Sequence, residues 1–191
     1  MWDQDVRRAL HAVLEKQHKD ERADTRIIDE LSLAGEVRID VAVLNGSFSG
    51  YEIKSAHDTL RRLPKQVEIY SKMLDHMTLV VADKHISHAL PLLPAWWGVV
   101  TATSEEGGNL SLTQLRAPQA NPAVDAEFLA TLLWRDELLA ALQLRGIDRG
   151  VRSKPRHALM ARLVEHVEVA EMRILVREQL KVRENWRECA A

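Results

Sequence analysis

The chain has almost no cysteine and no apolar run long enough to cross a membrane. Its 191 residues contain a single cysteine, Cys189, which excludes an intramolecular disulfide and a metal site built on several thiolates. The amino-terminal stretch MWDQDVRRALHAVL is too charged for a secretory signal, and no segment approaches membrane-spanning length. These absences predict a cytoplasmic protein that does not contact the membrane.

The sequence also lacks a strong net charge, but its charges are unevenly distributed. Residues 1–134 carry 14 Lys and Arg against 19 Asp and Glu, a net of −5, whereas residues 135–191 carry 12 against 9, a net of +3. An acidic amino-terminal part and a basic carboxy-terminal part are compatible with a metal site followed by a segment that binds a polyanion. A solvated helical face with scattered charges explains the positive charge of residues 135–191 equally well.

Hydrophobic periodicity divides the chain into a mixed part and a helical part. In the mixed part it predicts a helix over 3–17, strands over 25–33, 37–44 and 51–55, a helix over 64–75, a strand in MTLVVAD, a short helix over 84–93, and a hairpin of WWGVVTA and NLSLTQL across the glycines at 107 and 108. After a linker, it predicts helices over 124–133, 135–145, 154–167 and 168–184.

This order of elements predicts the fold class and the domains. It indicates an α/β (α+β) fold in which a mixed central β-sheet is flanked by helices, followed by an all-helical carboxy-terminal module. The first domain covers residues 1–116, a linker covers 117–123, and the helical module covers 124–191.

Candidate site residues lie on the second and third predicted strands. Side chains alternate between the faces of a strand, so Glu52 and Lys54 project together. Asp40 joins them if it lies opposite Glu52, which requires an odd-length loop such as Asn45-Gly46-Ser47 with a positive φ at Gly46. The apolar pattern favours this register, because it places Ile39, Val41, Val43 and Ile53 on one buried face and Arg38, Asp40, Glu52 and Lys54 on the other.

A face with two carboxylates and a lysine has two interpretations. It could be a solvated sheet face with a cross-strand ion pair. The two strands are predicted to be central, however, where clustered charges are costly without a metal or a pairing network. Two carboxylates a few ångströms apart are suited to Mg²⁺ or Mn²⁺, and a lysine beside them can orient a water molecule or contact a phosphate.

The run from Asp40 to Tyr70 resembles the PD-(D/E)XK nuclease superfamily. Asp40 matches its aspartate, Glu52 and Lys54 match its Glu-x-Lys, and Gln66-x-x-x-Tyr70 is similar to the helix motif of the RecB-type branch. The resemblance implies a restriction-endonuclease-like core and a Mg²⁺-dependent (or Mn²⁺-dependent) deoxyribonuclease of DNA repair or restriction. Asp40, Glu52, Lys54, Gln66 and Tyr70 would be catalytic, and the metal ligands would be Asp40, Glu52 and the backbone carbonyl of Ile53.

The superfamily often uses one further acid, for which Asp5, Glu15 and Glu30 are candidates. Glu30 in ELSLAGEVRID resembles the extra acid of MmcB-like DNA-repair members, and we select it as a fourth ligand.

Two basic clusters are candidate nucleic-acid contacts. The first consists of Arg61, Arg62 and Lys65 at the start of the helix that carries Gln66. The second lies in a helix–loop–helix similar to a SAP-type DNA-binding module, and consists of Arg149, Arg152, Lys154 and Arg156. Each cluster could instead be a solvated face, and the helical module could serve in packing or in a homodimer.

Three functions follow from these residues. The first is a metal-dependent DNA nuclease, with RNA as an alternative substrate. The second is a non-catalytic DNA-binding protein that retains the nuclease fold. The third is a protein-interaction adaptor, in which Asp40, Glu52 and Lys54 form only an ion-pair network.

Overall fold

The computed structural model describes residues 2–104 and 110–184. Its strands are β1 (Arg26–Leu33), β2 (Val37–Leu44), β3 (Phe48–Lys54), β4 (His76–Ala82), β5 (Gly98–Ser104) and β6 (Leu110–Arg116). Its α-helices are α1 (Asp3–Gln17), α2 (Leu63–Met73), α3 (Ile86–Ala89), α4 (Ala126–Ala130), α5 (Arg135–Leu144), α6 (Arg156–His166) and α7 (Val169–Val182). Short 3₁₀ segments occupy Lys19–Glu21, Asp83–His85 and Leu90–Leu92. The predicted α+β class is confirmed.

The six strands form one mixed sheet in the order β1-β2-β3-β4-β5-β6. Strand β3 pairs in parallel with β4, and β4 with β5, while the other neighbours are antiparallel. Parallel neighbours require a crossover, which α2 supplies between β3 and β4. Strands β2 and β3 are therefore central, as predicted. The glycines of the predicted last hairpin lie outside the described residues.

Helices cover both faces of the sheet. Helix α1 packs Val6, Leu10 and Leu14 against one face, where they meet Val41 and Val43. The other face carries α2 and the helices from α4 to α7, and its apolar side chains form one cluster that runs from the sheet into the carboxy-terminal helices. The sheet is thus a middle layer that buries side chains on both sides, which explains the near-continuous apolar sequence of β4.

Ile39 does not share a face with Val41, Val43 and Ile53, so this part of the predicted partition is wrong. It belongs to the cluster on the opposite face. Glu30 has a φ of 57°, and the ladder between β1 and β2 omits Glu30 and Asp40. This irregularity interrupts the alternation, and Gly50 gives Ile39 room because a Cβ there would lie 2.3 Å from Ile39 Cδ1.

The segment between the sheet and the helical part is anchored through a buried asparagine. Asn121 Nδ2 donates to the carbonyl oxygens of Ser71 at 2.8 Å and Leu74 at 2.7 Å. The Asn121 backbone N–H donates to Asp75 O at 2.8 Å. These bonds satisfy carbonyls at the end of α2 that have no partner within the helix. The predicted linker is therefore docked against the helix that carries Gln66 and Tyr70.

Candidate active site

The β2–β3 hairpin has the register that the site requires. Val41 pairs with Tyr51 and Leu44 with Phe48, so the next position along the ladder sets Asp40 opposite Glu52. The loop is the predicted three residues, but Gly46 does not have a positive φ. Instead, the Asn45 side chain closes the turn by accepting from the Ser47 N–H at 3.0 Å.

The Asp40 side chain replaces the backbone ladder at the end of the hairpin. Its Oδ2 accepts a hydrogen bond of 2.7 Å from the backbone N–H of Ile53. In an antiparallel pair, the N–H and C=O of one residue face the same neighbouring strand, so the Ile53 carbonyl turns towards β2 as well. Asp40 is thereby fixed beside the Glu-x-Lys segment.

Glu52 is buried at the centre of a hydrogen-bond cluster. The side chains of Glu52 and Lys54 are 2% and 4% exposed. Glu52 Oε1 accepts from Lys54 Nζ at 2.5 Å and from Gln66 Nε2 at 2.6 Å, and Oε2 accepts from the Tyr70 hydroxyl at 2.8 Å. Three donors therefore hold one carboxylate, which offsets part of the cost of burying its charge.

Helix α2 presents Gln66 and Tyr70 to this carboxylate from one face, as their four-residue spacing predicted. The Tyr70 ring stacks on the buried Trp97 with centroids 6.3 Å apart. Burial and the negative charge of Glu52 raise the pKa of Tyr70 well above its usual range, so the hydroxyl stays protonated. Tyr70 therefore acts as a hydrogen-bond donor in this cluster.

The surroundings of Asp40 oppose its ionisation. Burial, and after it the charge of Glu52, raise the pKa of Asp40 to about 7, although the Ile53 N–H, Arg7 and Lys54 all favour its charged form. Two neighbouring carboxylates repel one another, so a bound cation would remove this penalty. A strongly shifted acid in a cleft is typical of a functional site.

Arg7 of α1 is a site residue that the sequence did not reveal. Its guanidinium donates to the Asp40 carbonyl at 2.5 Å and to Glu30 Oε1 at 2.8 Å, and it lies 3.3 Å from Asp40 Oδ1. Glu30 also forms an ion pair with Arg38. The proposed fourth ligand is therefore held by two arginines, and Arg7 lies between it and Asp40. No local pattern marks Arg7, because the contact joins α1 to the sheet.

An open cleft of about 420 Å³ leads to the carboxyl groups of Asp40 and Glu52. Asp40, Glu52 and Gln66 line it together with Arg62 and Lys65, whereas Arg61 is exposed and does not. Lys65 Nζ is 2.9 Å from Glu36 Oε2. The first basic cluster thus brings two of its three residues to the cleft.

The second basic cluster lies elsewhere, between α5 and α6. Arg149, Arg152 and Lys154 are exposed there, and Arg152 is paired with Asp148. Arg156 has a structural contact, since its guanidinium donates to Leu133 O at 2.9 Å. None of these four residues lines the cleft beside Asp40.

The comparisons with known proteins identify one family. The family model described as Bacteriophage P4 protein cII matches residues 3–189. Protein cII of Enterobacteria phage P4 is 36% identical over 99 residues, which are 51% of this chain and 37% of that protein. The chain therefore spans little more than a third of this relative.

Two solved structures are similar over part of the chain. A protein of unknown function from Silicibacter pomeroyi has a TM-score of 0.41 and 16% identity, with 71% of this chain and 86% of that chain covered. The structure of Pyrococcus furiosus SfsA in complex with Ca²⁺ has a TM-score of 0.39 and 17% identity, with 58% of this chain and 63% of that chain covered. At these values neither similarity bears on the chemistry of the site.

Proposed function

This chain belongs to the bacteriophage P4 protein cII family. From the geometry of its candidate site we propose that it is a Mg²⁺-dependent nuclease that hydrolyses phosphodiester bonds in DNA. The proposal places the chain in the PD-(D/E)XK superfamily through Asp40, Glu52 and Lys54. The observation that carries it is the convergence of Asp40 and the clamped Glu52 on adjacent central strands at one open cleft.

The donor atoms at the cleft fit a small divalent cation. Asp40 and Glu52 line the cleft and supply the oxygen ligands that Mg²⁺ and Mn²⁺ prefer, and the Ile53 carbonyl is the further ligand that the family resemblance implies. Gln66 Oε1 is buried and has no hydrogen-bond partner among the described residues, and the bond from Gln66 Nε2 to Glu52 fixes that orientation. The protein need not supply every ligand, because Mg²⁺ retains several coordinated water molecules. Within residues 2–104 and 110–184, no cluster of three or more Asp, Glu, His or Cys is arranged around a metal position.

The chain's own residues have separate roles in the proposed reaction. A bound cation would acidify a coordinated water and neutralise charge on the phosphate. Lys54 is buried behind the cleft and donates from Nζ to Glu52 Oε1, and in the proposed reaction it would orient Glu52 and the attacking water. Gln66 and Tyr70 position Glu52 by donating to its two oxygens. Arg62 and Lys65 are proposed to hold the substrate backbone at the cleft.

Divalent-dependent cleavage is the direct test. Purified protein with Mg²⁺ or Mn²⁺ is expected to cut single-stranded, duplex or branched DNA, and Asp40→Asn, Glu52→Gln and Lys54→Gln should each lose at least about a hundredfold in rate. The matched control is Glu68→Gln on the exposed side of α2, where Glu68 pairs with Lys72 at 3.1 Å, and its rate should equal that of the wild type. Intact DNA under all these conditions contradicts the proposal.

A second candidate is a DNA-binding protein without catalysis. The observation that favours it is that Glu52 already accepts from three donors, so its charge is satisfied without a cation. Titration of Mn²⁺ followed by electron paramagnetic resonance separates the two. Stoichiometric binding that disappears in Asp40→Asn supports the nuclease, whereas absence of binding together with retained DNA affinity supports the second candidate.

A further inference from the structure

A second groove adjoins the site cleft at the turn between β1 and β2. Its volume is about 560 Å³, and it runs between this turn and the carboxy-terminal helices. Ser32 and Gly35 line both the site cleft and the second groove. A chain-like ligand in one could therefore continue into the other across these two small residues.

The charges of the second groove differ from those of the site cleft. Its lining includes Arg135, Arg156 and Arg183, and no acidic side chain lines it among the described residues. Arg183 is paired with Glu137, whereas Arg135 and Arg156 are exposed. A lining that carries only positive charge suits a polyanion.

Arg135 and Arg156 are held in place mainly by backbone oxygens. Arg135 Nη2 donates to Arg152 O at 2.8 Å, and Arg156 Nε donates to Leu133 O at 3.0 Å. Among the described residues, the only carboxylate that pairs with either guanidinium is that of the exposed Asp136, 3.6 Å from Arg135. Carbonyl partners orient a guanidinium without cancelling its charge, so both arginines retain donors for a phosphate.

An aromatic side chain completes the groove. Trp134 is half-buried and lines the groove, and the Arg183 guanidinium lies 4.1 Å from its ring centroid. Aromatic rings combined with arginines are typical of surfaces that bind single-stranded nucleic acid, where bases can contact the ring while phosphates meet the cations.

We propose that this second groove binds the phosphate backbone of a single nucleic-acid strand whose continuation enters the site cleft over Ser32 and Gly35. Its entry into a catalytic cleft rests on the proposed nuclease function, whereas binding in the groove does not. The contact of Arg135 with the backbone of Arg152 also places the basic α5–α6 loop beside the groove.

Binding of a fluorescent single-stranded oligonucleotide in EDTA tests the groove without any cleavage. Arg135→Gln is expected to weaken binding several-fold and to reduce the slope of log affinity against log salt by about 0.7 for one lost phosphate contact. Arg135→Lys keeps the charge and should keep the slope. The matched control is Lys16→Gln, which removes one exposed charge from α1 on the opposite face of the sheet, and it should bind as the wild type does.

A photo-crosslinker reports the path of the strand. Ser32→Cys in a Cys189→Ser background, labelled with a benzophenone, should crosslink to the oligonucleotide, whereas the same label at Thr113→Cys on the edge strand β6 should not. Thermal melting confirms that each variant is folded. The same measurements with DNA and RNA oligonucleotides show whether the groove prefers deoxyribose or ribose.

The outcomes separate this inference from the nuclease proposal. If Arg135→Gln and Lys16→Gln bind the oligonucleotide with the same affinity, the proposed binding in the second groove is wrong, even if the protein cleaves DNA. If Arg135→Gln loses affinity but no condition gives cleavage, binding in the second groove is supported and the proposed nuclease activity is contradicted. Blunt duplex that binds as tightly as the single strand overturns the assignment to a single strand.

Discussion

The charged groups of the sheet and those of the α5–α6 loop are held in opposite ways. The Glu52 and Lys54 side chains are 2% and 4% exposed and bonded to one another, whereas Arg149 in the loop is exposed. A buried carboxylate cannot be removed without leaving its donors and its counterion unpaired, but an exposed arginine returns to water. We therefore expect substitutions in the sheet to change stability, and substitutions in the loop to change binding alone.

The largest effect is expected when Glu52 is removed. Glu52→Ala leaves the buried Lys54 without its ion-pair partner and removes one of the two acceptors near the Tyr70 hydroxyl, so the free energy of unfolding should fall by about 3–5 kcal/mol. Urea titration with a constant slope measures the change. The surface pair Arg145–Glu171 provides the control, because Glu171→Gln should cost less than about 1 kcal/mol. If Glu52→Ala and Glu171→Gln lowered the free energy of unfolding equally, the expected difference between the buried sheet cluster and the surface would be contradicted.

Asp40 should make the stability of the protein depend on pH. Its folded pKa of about 7 exceeds the unfolded value of about 3.9, so the folded state binds the proton more tightly. The stability gained from that proton is complete below about pH 4 and is lost as the pH rises through 7. Asp40→Asn lacks this loss and retains an acceptor for the Ile53 N–H, so in metal-free buffer it should become more stable than the wild type by up to about 4 kcal/mol at pH 8.

Paired urea titrations of the wild type and Asp40→Asn between pH 4 and pH 8 measure this difference. The stability difference should widen from pH 4 to about pH 7 and then level off towards pH 8. A difference that stays constant over this range would show that Asp40 ionises normally in the folded protein.

Tyr70→Phe should have an intermediate effect. It removes the hydroxyl that donates to Glu52 Oε2 at 2.8 Å but keeps the ring that packs on Trp97. Leaving one buried oxygen with fewer donors should cost about 1–3 kcal/mol, less than removing Glu52 itself. Thermal or urea unfolding measures the change. A loss as large as that of Glu52→Ala would mean that the ring packing, rather than the hydrogen bond, had been disturbed.

The smallest effect on stability is expected in the loop. Arg149→Gln should leave the melting temperature unchanged while reducing the salt slope of DNA binding by about 0.7 to 0.9 for one lost phosphate contact. Fluorescence anisotropy at several salt concentrations measures the slope, with Lys16→Gln as the control for a lost surface charge. An unchanged slope would make the α5–α6 loop a solvated surface.

Much of this architecture was accessible from local patterns. The alternation of apolar residues from Val37 to Leu44 predicted β2 at its observed bounds, and the register across Asn45-Gly46-Ser47 followed from the need to keep charged and apolar side chains apart. The four-residue spacing of Gln66 and Tyr70 predicted that they act together. These features depend on strand and helix periods, which the sequence carries directly.

Other features depend on contacts between distant segments. Arg7 reaches Asp40 from a helix on the other face of the sheet, and Ile39 changes face because the ladder is interrupted beside Glu30. Both are tertiary effects that override a local pattern. The two basic clusters were visible in the sequence, but their positions relative to the cleft were not, since charge counts carry no direction.

The anchoring of Asn121 has a consequence for how proteins of this kind could diversify. Its amide closes the end of α2, and the helices that follow share one apolar cluster with the sheet. Exchange of Asn121 and the helices after it as a unit would expose apolar surface and uncap the helix that positions Glu52. Sequence change would therefore be tolerated most readily at the exposed residues of the loop between α5 and α6, which lie outside that shared cluster.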